Sequence, residues 1–220
     1  FKFLIGGILI AIHWITFFHA IKISTISTTL VTMSSSAFFV VLLQPLFGIK
    51  KFTWYELLLA FFAVAGFVII FNVDKVNTSG LFVALISAFL VAVFSIYNGN
   101  LIKKYKGSKI AFYELVFATL FISIILIVQG EFSKDFFNLK QTDWIYIIVL
   151  AVICTAFPFV VATNLLKKMS PFTIVLTNNL EPVYGIILAV LIFGDKEKMS
   201  LQFYLGAILI LCSVLVNAFL

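Results

Sequence analysis

A single carboxyl group, Glu181, stands near the middle of an otherwise apolar stretch from Pro171 to Phe193, with Pro182 immediately after it. An ionisable side chain at bilayer depth costs roughly 2.5–3.5 kcal/mol on insertion scales, so its presence is a functional-site hypothesis by default. Two chemistries suit it: uptake and release of a proton, or capture of a substrate through charge and hydrogen bonds. Pro182 lacks an N–H, which frees the carbonyl of Asn178 and supplies an acceptor beside the acid in a kinked helix. The competing reading is a protonated or hydrogen-bonded carboxyl that only fastens helices together.

Other polar groups lie at similar depth. Thr173, Thr177 and Glu181 are spaced i, i+4, i+8, which draws one stripe down one helix face, and Thr28, Thr32 and Ser36 draw a second. Asn178 and Asn179 add amides. Threonine and serine hydroxyls also bond back to the i−4 carbonyl and help helices pack, so substrate contact and packing are both open for these residues. His13 and Trp14 fall mid-span, where an indole can wall a cavity for a planar or cationic substrate, with core packing as the alternative. Pro158 is a second hinge candidate beside Pro182. Glu114, near the start of its helix, is expected to snorkel or to pair with Lys106 or Lys109 and so to be structural. Tyr97, Asn98 and Asn100 follow a ridge of small residues, Ala84, Ala88 and Ala92, and read as helix interface, with a cavity mouth as the alternative. No set of histidines, cysteines or carboxylates has metal-ligand spacing, so neither a metal nor another cofactor is expected.

The segments that must position these groups are membrane helices. Hydrophobic residues make up 63% of the chain and charged residues 11%, and the mean hydropathy of +1.20 lies far outside soluble usage. The apolar runs reach the ~20 residues a helix needs to cross the hydrocarbon, and they lack the alternation of a barrel strand. The expected fold class is therefore an all-α integral membrane protein, a polytopic helical bundle. Its eight spans are Phe3 to Ile21, Thr25 to Phe47, Trp54 to Phe71, Leu81 to Ile102, Ile110 to Val128, Trp144 to Leu166, Pro171 to Phe193 and Leu201 to Leu220. Trp54 and Trp144 open their spans as interfacial anchors. The longest connection, Gln129 to Asp143, leaves no room for a soluble domain.

All basic residues are lysines, and they carry the net charge of +6. With sides alternating, one side holds Lys2, Lys50, Lys51, Lys167, Lys168 and the cluster Lys103, Lys104, Lys106 and Lys109. The positive-inside rule puts that side in the cytoplasm, together with Phe1 and Leu220, in a multi-pass protein of the cytoplasmic membrane. The charge is thus a topology signal. No basic stripe interleaves with exposed aromatics, so no nucleic-acid partner is expected. The expected partners are the lipid bilayer and a small-molecule substrate, with a homodimer as one option for assembly. Cys154 and Cys212 fall within spans and read as small apolar residues.

An internal repeat appears at an offset of 145 residues: Thr25 to Phe47 overlays Ser170 to Ile192, with Lys22 on Lys167 and Ser36 on Glu181. Matching polar stripes in corresponding helices suggest the interface of a duplicated protein, where transporters commonly bind substrate. The second copy is preceded by two further spans and the first by none. The expectation is a ten-helix protein whose first two helices lie before Phe1.

These residues resemble a known family. Ala20 to Gly66 and Asn164 to Gly206 look like the ends of the two halves of an EamA-type permease of the drug/metabolite transporter superfamily. The telling runs are Leu165-Leu166-Lys167-Lys168-Met169-Ser170-Pro171, Leu180-Glu181-Pro182-Val183 and Phe193-Gly194-Asp195, and Thr78-Ser79-Gly80 is similar to the opening of the second half. The resemblance implies a ten-helix exporter or exchanger of small metabolites, built as inverted five-helix repeats around a central cavity. On that reading residues 1–72 are the remainder of the first repeat and 79–220 the second. One departure stands out: Ser36-Ala37 occupies the place of Glu181-Pro182, so a carboxyl-dependent step would rest on one half only.

Other classes fit less well. An intramembrane serine protease would want a glycine-framed serine, which Ser34, Ser35 and Ser36 lack, and an aspartyl protease would want two buried aspartates, whereas every aspartate here lies in a loop. A non-transporting scaffold would have no need of polar stripes at depth. No phosphate-binding G-x-x-x-x-G-K-[ST] loop is present to couple transport to ATP.

Overall fold

In hydrocarbon no water is available to the backbone, so apolar stretches this long must close their hydrogen bonds within themselves. The computed structural model describes residues 1–24, 26–71, 78–133, 136–181, 183–184 and 201–220, apart from the side chains of residues 27 and 71, and the regular elements among them are all helical. These are α1 (Lys2–Ile23), α2 (Ile26–Met33), α3 (Ser36–Leu43), α4 (Trp54–Phe71), α5 (Thr78–Leu101), α6 (Gly107–Val128), α7 (Gln141–Ala151), a π-helical segment (Val152–Ala156), α8 (Phe157–Leu165), α9 (Pro171–Asn178) and α10 (Leu201–Phe219). Five stretches are long and apolar enough to cross a membrane: α1, α5, α6, α7 through α8, and α10. The chain is a multi-pass helical membrane protein.

Three spans depart from the expectation of one continuous helix each; one is Pro171 to Phe193, whose first helix ends at Asn178. Thr25 to Phe47 is broken at Ser34-Ser35 into α2 and α3. The Ser34 hydroxyl donates to the Val31 carbonyl at 2.7 Å and the Ser35 hydroxyl to the Thr32 carbonyl at 2.6 Å, so side chains compete for acceptors that would continue the helix. Trp144 to Leu166 widens at Val152–Ala156 into a π segment one turn before Pro158. A proline cannot bond back to the carbonyl four residues earlier and its ring crowds that carbonyl, so the preceding turn opens. The Phe157 amide accordingly reaches the Val152 carbonyl, and the Thr155 hydroxyl donates to that of Leu150 at 2.8 Å.

By contacts the described chain divides into two units, each drawn from two stretches of sequence, residues 1–12 with 97–168 and residues 13–96 with 169–220. In the first, Leu101, Ile102 and Ile110 form a core against Phe3, Tyr105 and Leu166. Phe3 stacks on Tyr113 with centroids 5.4 Å apart, and α6 packs on α8. In the second, Val40 and Val41 of α3, Ala60 and Ala63 of α4, and Phe172, Val175 and Leu176 of α9 share one core. There α4 and α10 form the most extensive helix pair. Gly66 and Gly206 face each other at that crossing, close enough that a Cβ on Gly66 would meet the Gly206 carbonyl oxygen at 2.8 Å.

The turn from α3 to α4 is clamped by a polar cluster. Gln44 Nε2 donates to Glu56 Oε2 at 2.7 Å, while Lys50 Nζ reaches Glu56 Oε1 at 2.9 Å and the Tyr55 hydroxyl at 2.8 Å. Gln44 and Glu56 are buried. Partial burial pulls the Lys50 ammonium down, but the bonds to Tyr55 and Glu56 outweigh it and leave the group above its ordinary value. A raised folded-state value means the stabilisation is complete below the ordinary lysine range and is lost as pH rises through the folded value. Thermal unfolding in detergent should therefore be insensitive to Lys50→Met substitution only at strongly alkaline pH, and a wild-type advantage that persists there would contradict the assignment.

Candidate functional site

The two polar stripes recur in local detail. The Thr32 hydroxyl donates to the Thr28 carbonyl at 2.7 Å, and at the 145-residue offset the Thr177 hydroxyl donates to the Thr173 carbonyl at 2.7 Å. The Ser35 amide then bonds three residues back to the Thr32 carbonyl at 3.0 Å, and its counterpart, the Leu180 amide, bonds to the Thr177 carbonyl at 2.9 Å. In consequence α2 ends at Met33 and α9 at Asn178, positions separated by that same offset. Both helices are interrupted where the stripe passes from threonine to the third polar residue, Ser36 or Glu181. The start of α9 is fixed locally: Ser170 caps it, accepting the Thr173 amide at 3.1 Å, and Pro171 follows as the first helical residue.

The environments of the two stripes differ. Thr28, Thr32 and Ser36 are buried, Thr173 is half-buried, and Thr177, Asn178 and Glu181 are exposed. Thr173 Oγ1 also accepts from Asn217 Nδ2 on α10 at 3.1 Å, which ties α9 to α10. Of the adjacent amides, Asn179 is the buried one, and its Nδ2 has no hydrogen-bond partner among the described residues. Glu181 opens a fresh helical turn in which the Tyr184 amide bonds to the Leu180 carbonyl at 3.0 Å. Pro182, the proposed hinge after Glu181, lies outside the described residues.

His13 is tied to the neighbouring helix. With the proton on Nδ1, the ring donates to the Ser87 carbonyl at 3.1 Å and the Ser87 hydroxyl at 2.8 Å, and that hydroxyl donates to the His13 carbonyl at 3.0 Å. This closes a reciprocal bridge between α1 and α5. Trp14 beside it is half-buried. Pro158 is exposed and follows the π segment.

Glu114 corrects the expectation drawn for it. It does not snorkel and makes no pair with Lys106 or Lys109. Its helix starts at Gly107 rather than at Ile110, which places the carboxyl two turns in, and it is fully buried. Oε2 accepts from Asn98 Nδ2 on α5 at 2.9 Å. Gly6 and Gly7 of α1 pass directly over it: a Cβ on Gly6 would overlap Oε1, and one on Gly7 would meet the Glu114 carbonyl oxygen at 2.8 Å. The only signal in the sequence was that glycine pair, which marks a close helix approach without naming the residue opposite.

No group of histidine, cysteine and carboxylate side chains among the described residues is placed to hold a metal. A cavity of about 360 Å³ between α4 and α10 is lined almost wholly by apolar side chains such as Leu58, Phe62 and Val216, and none of the polar stripe residues lines it.

The sequence profile of the EamA-like transporter family matches residues 78–219. The chain belongs to the EamA-like transporter family. An EamA-like chain is a membrane transporter of the drug/metabolite type. A solved structure titled "Crystal structure of protein" is similar to this EamA-like chain with a TM-score of 0.76 at 17% sequence identity, covering 99% of this chain and 74% of the other. At that identity the likeness concerns the fold. No curated protein matches the sequence.

Proposed function

We propose that this EamA-like protein is a secondary transporter, an exporter or exchanger. It moves a small metabolite, amino acid or drug-like solute across the cytoplasmic membrane by alternating access between two repeats, residues 1–72 and 79–220, with Phe1 and Leu220 on the cytoplasmic side. The observation that supports this most directly is the pair of interrupted helices. The same hydroxyl back-bond and the same three-residue amide bond end α2 and α9 at equivalent positions. Interrupted helices in corresponding halves expose backbone dipoles and polar side chains at the depth where transporters hold solute and coupling ions. Thr173, Thr177, Asn178 and Glu181 from one copy and Thr28, Thr32 and Ser36 from the other line the pathway, with His13 and Trp14 beside it, and Pro182 and Pro158 act as hinges. Because no lysine lies at depth, lipophilic or cationic solutes suit the site better than anionic ones. Glu181 is the proton-coupling carboxyl of this reading.

Flux in proteoliposomes holding the protein, screened against amino acids, amines, nucleotide precursors and drugs with and without a pH gradient, tests the proposal. Glu181→Gln is expected to abolish the response of flux to the gradient while leaving substrate counterflow. A variant that keeps the full pH response removes Glu181 from coupling, and wild-type vesicles inert to every class count against transport.

A further inference from the structure

We infer that Glu114 and Asn98 form a buried proton-binding site joining α5 to α6 beneath α1, distinct from the polar stripes. Hydrogen-bond accounting carries the inference. Both side chains are essentially inaccessible, and one bond, Asn98 Nδ2 to Glu114 Oε2 at 2.9 Å, joins them. The remaining two oxygens, Glu114 Oε1 and Asn98 Oδ1, have no donor among the described residues. Two buried acceptors without a donor cost far more than two that share one, and a carboxylic acid provides the missing O–H. An acid facing an amide can close a two-bond ring, with the amide N–H given to one carboxyl oxygen and the acid O–H returned to the amide oxygen.

Counter-charges do not offer an alternative. The ion pair between described residues is Lys50 with Glu56, elsewhere in the fold. From α1 the site is faced by Gly6 and Gly7. On α5 the adjacent titratable group, Tyr97, spends its hydroxyl proton on the Lys2 carbonyl at 2.9 Å. No ammonium group among the described residues pairs with Glu114; Lys103 donates to the Asn100 side chain and Lys109 lies over the Tyr105 ring. From α6 itself the neighbouring Tyr113 stacks on Phe3. Space narrows the ligand further, since a single Cβ at Gly6 would already overlap Oε1. The ligand is therefore a proton rather than a hydrated metal ion or an organic cation.

Release breaks the Oε1–H bond, sends the proton to bulk water and leaves a carboxylate that one amide cannot satisfy. Ionisation thus strains the seam where α1, α5 and α6 meet. The site deepens the transporter reading by giving the first contact unit a proton-linked element, yet its existence is measured without any flux.

Infrared difference spectra of the full chain in lipid vesicles, recorded across a pH titration, read the carboxylic-acid C=O stretch. One component of the titrating acid band is expected to be present in the wild type and in Glu181→Gln, missing in Glu114→Gln while the bands of the other carboxyls remain, and shifted toward the free-acid position in Asn98→Ala, where the bonding partner is gone. Wild-type and Glu114→Gln spectra that superimpose across the titration, or a Glu114 component indifferent to Asn98→Ala, overturn the site. Loss of transport in vesicles that keep the Glu114 band would sink the transporter reading and leave the proton site standing.

Discussion

Gly66→Val is expected to be among the most damaging substitutions in the second contact unit, lowering stability by about 3 kcal/mol through overpacking. At the α4–α10 crossing a Cβ on Gly66 would lie 2.6 Å from Ile210 Cγ1 and 2.8 Å from the Gly206 carbonyl oxygen. The Ile210 side chain is fully buried and has no open direction in which to retreat. The carbonyl is backbone and can move only with the helix. Membrane helices associate by close packing rather than by a hydrophobic drive, so a crossing built on glycines has little to fall back on once they are filled. Gly206→Val acts on the same contact from the other side, with Ile70 as its counterpart of Ile210, and should cost at least as much. Thermal unfolding followed by circular dichroism in detergent measures both. A Gly66→Val protein that melts within a degree or two of wild type would mean the helices do not meet at these residues.

Glu56→Ala is expected to destabilise by about 1–3 kcal/mol, the cost of leaving a buried donor without its acceptor. The residue left behind is Gln44, fully buried, whose Oε1 already has no partner among the described residues. Removing Glu56 strands its Nε2 as well and unties the turn that joins α3 to α4. Lys50→Ala should cost much less. The Lys50 side chain is 37% exposed, and a pair with one partner open to solvent contributes between nothing and about 1 kcal/mol. The order Glu56→Ala, then Glu56→Gln, then Lys50→Ala, in falling effect on the unfolding midpoint, separates the buried amide from the ion pair. Equal losses for Glu56→Ala and Lys50→Ala would assign the stabilisation to charge instead.

Much of this protein was legible in its sequence because the membrane removes alternatives. Where no water competes, an apolar run of sufficient length has one way to satisfy its backbone, and composition alone therefore announced the helical bundle. The stripes were legible for a related reason. Hydroxyls at i and i+4 meet on one helix face whatever surrounds them, and the offset of 145 residues brought Thr28 and Thr32 into register with Thr173 and Thr177 before any bond between them was visible. The family resemblance rested on short local runs, Leu165 to Pro171 and Leu180 to Val183 among them, and the family profile over residues 78–219 bears it out.

What escaped was decided either by a close local balance or by contacts between segments distant in the chain. The break at Ser34-Ser35 depends on hydroxyls winning carbonyls that an uninterrupted helix would claim, a balance small enough that residue types do not decide it. Glu114 was misplaced because its burial is set by Gly6 and Gly7, more than a hundred residues earlier. The partner of His13, Ser87, is 74 residues away, and no periodicity encodes it. By itself the sequence determined that the chain is helical and membrane-spanning, because those properties follow from the local satisfaction of backbone bonds. Which carboxyl is sealed inside a contact unit and which is open was decided only by tertiary structure, since burial is a property of whatever comes to lie against a side chain.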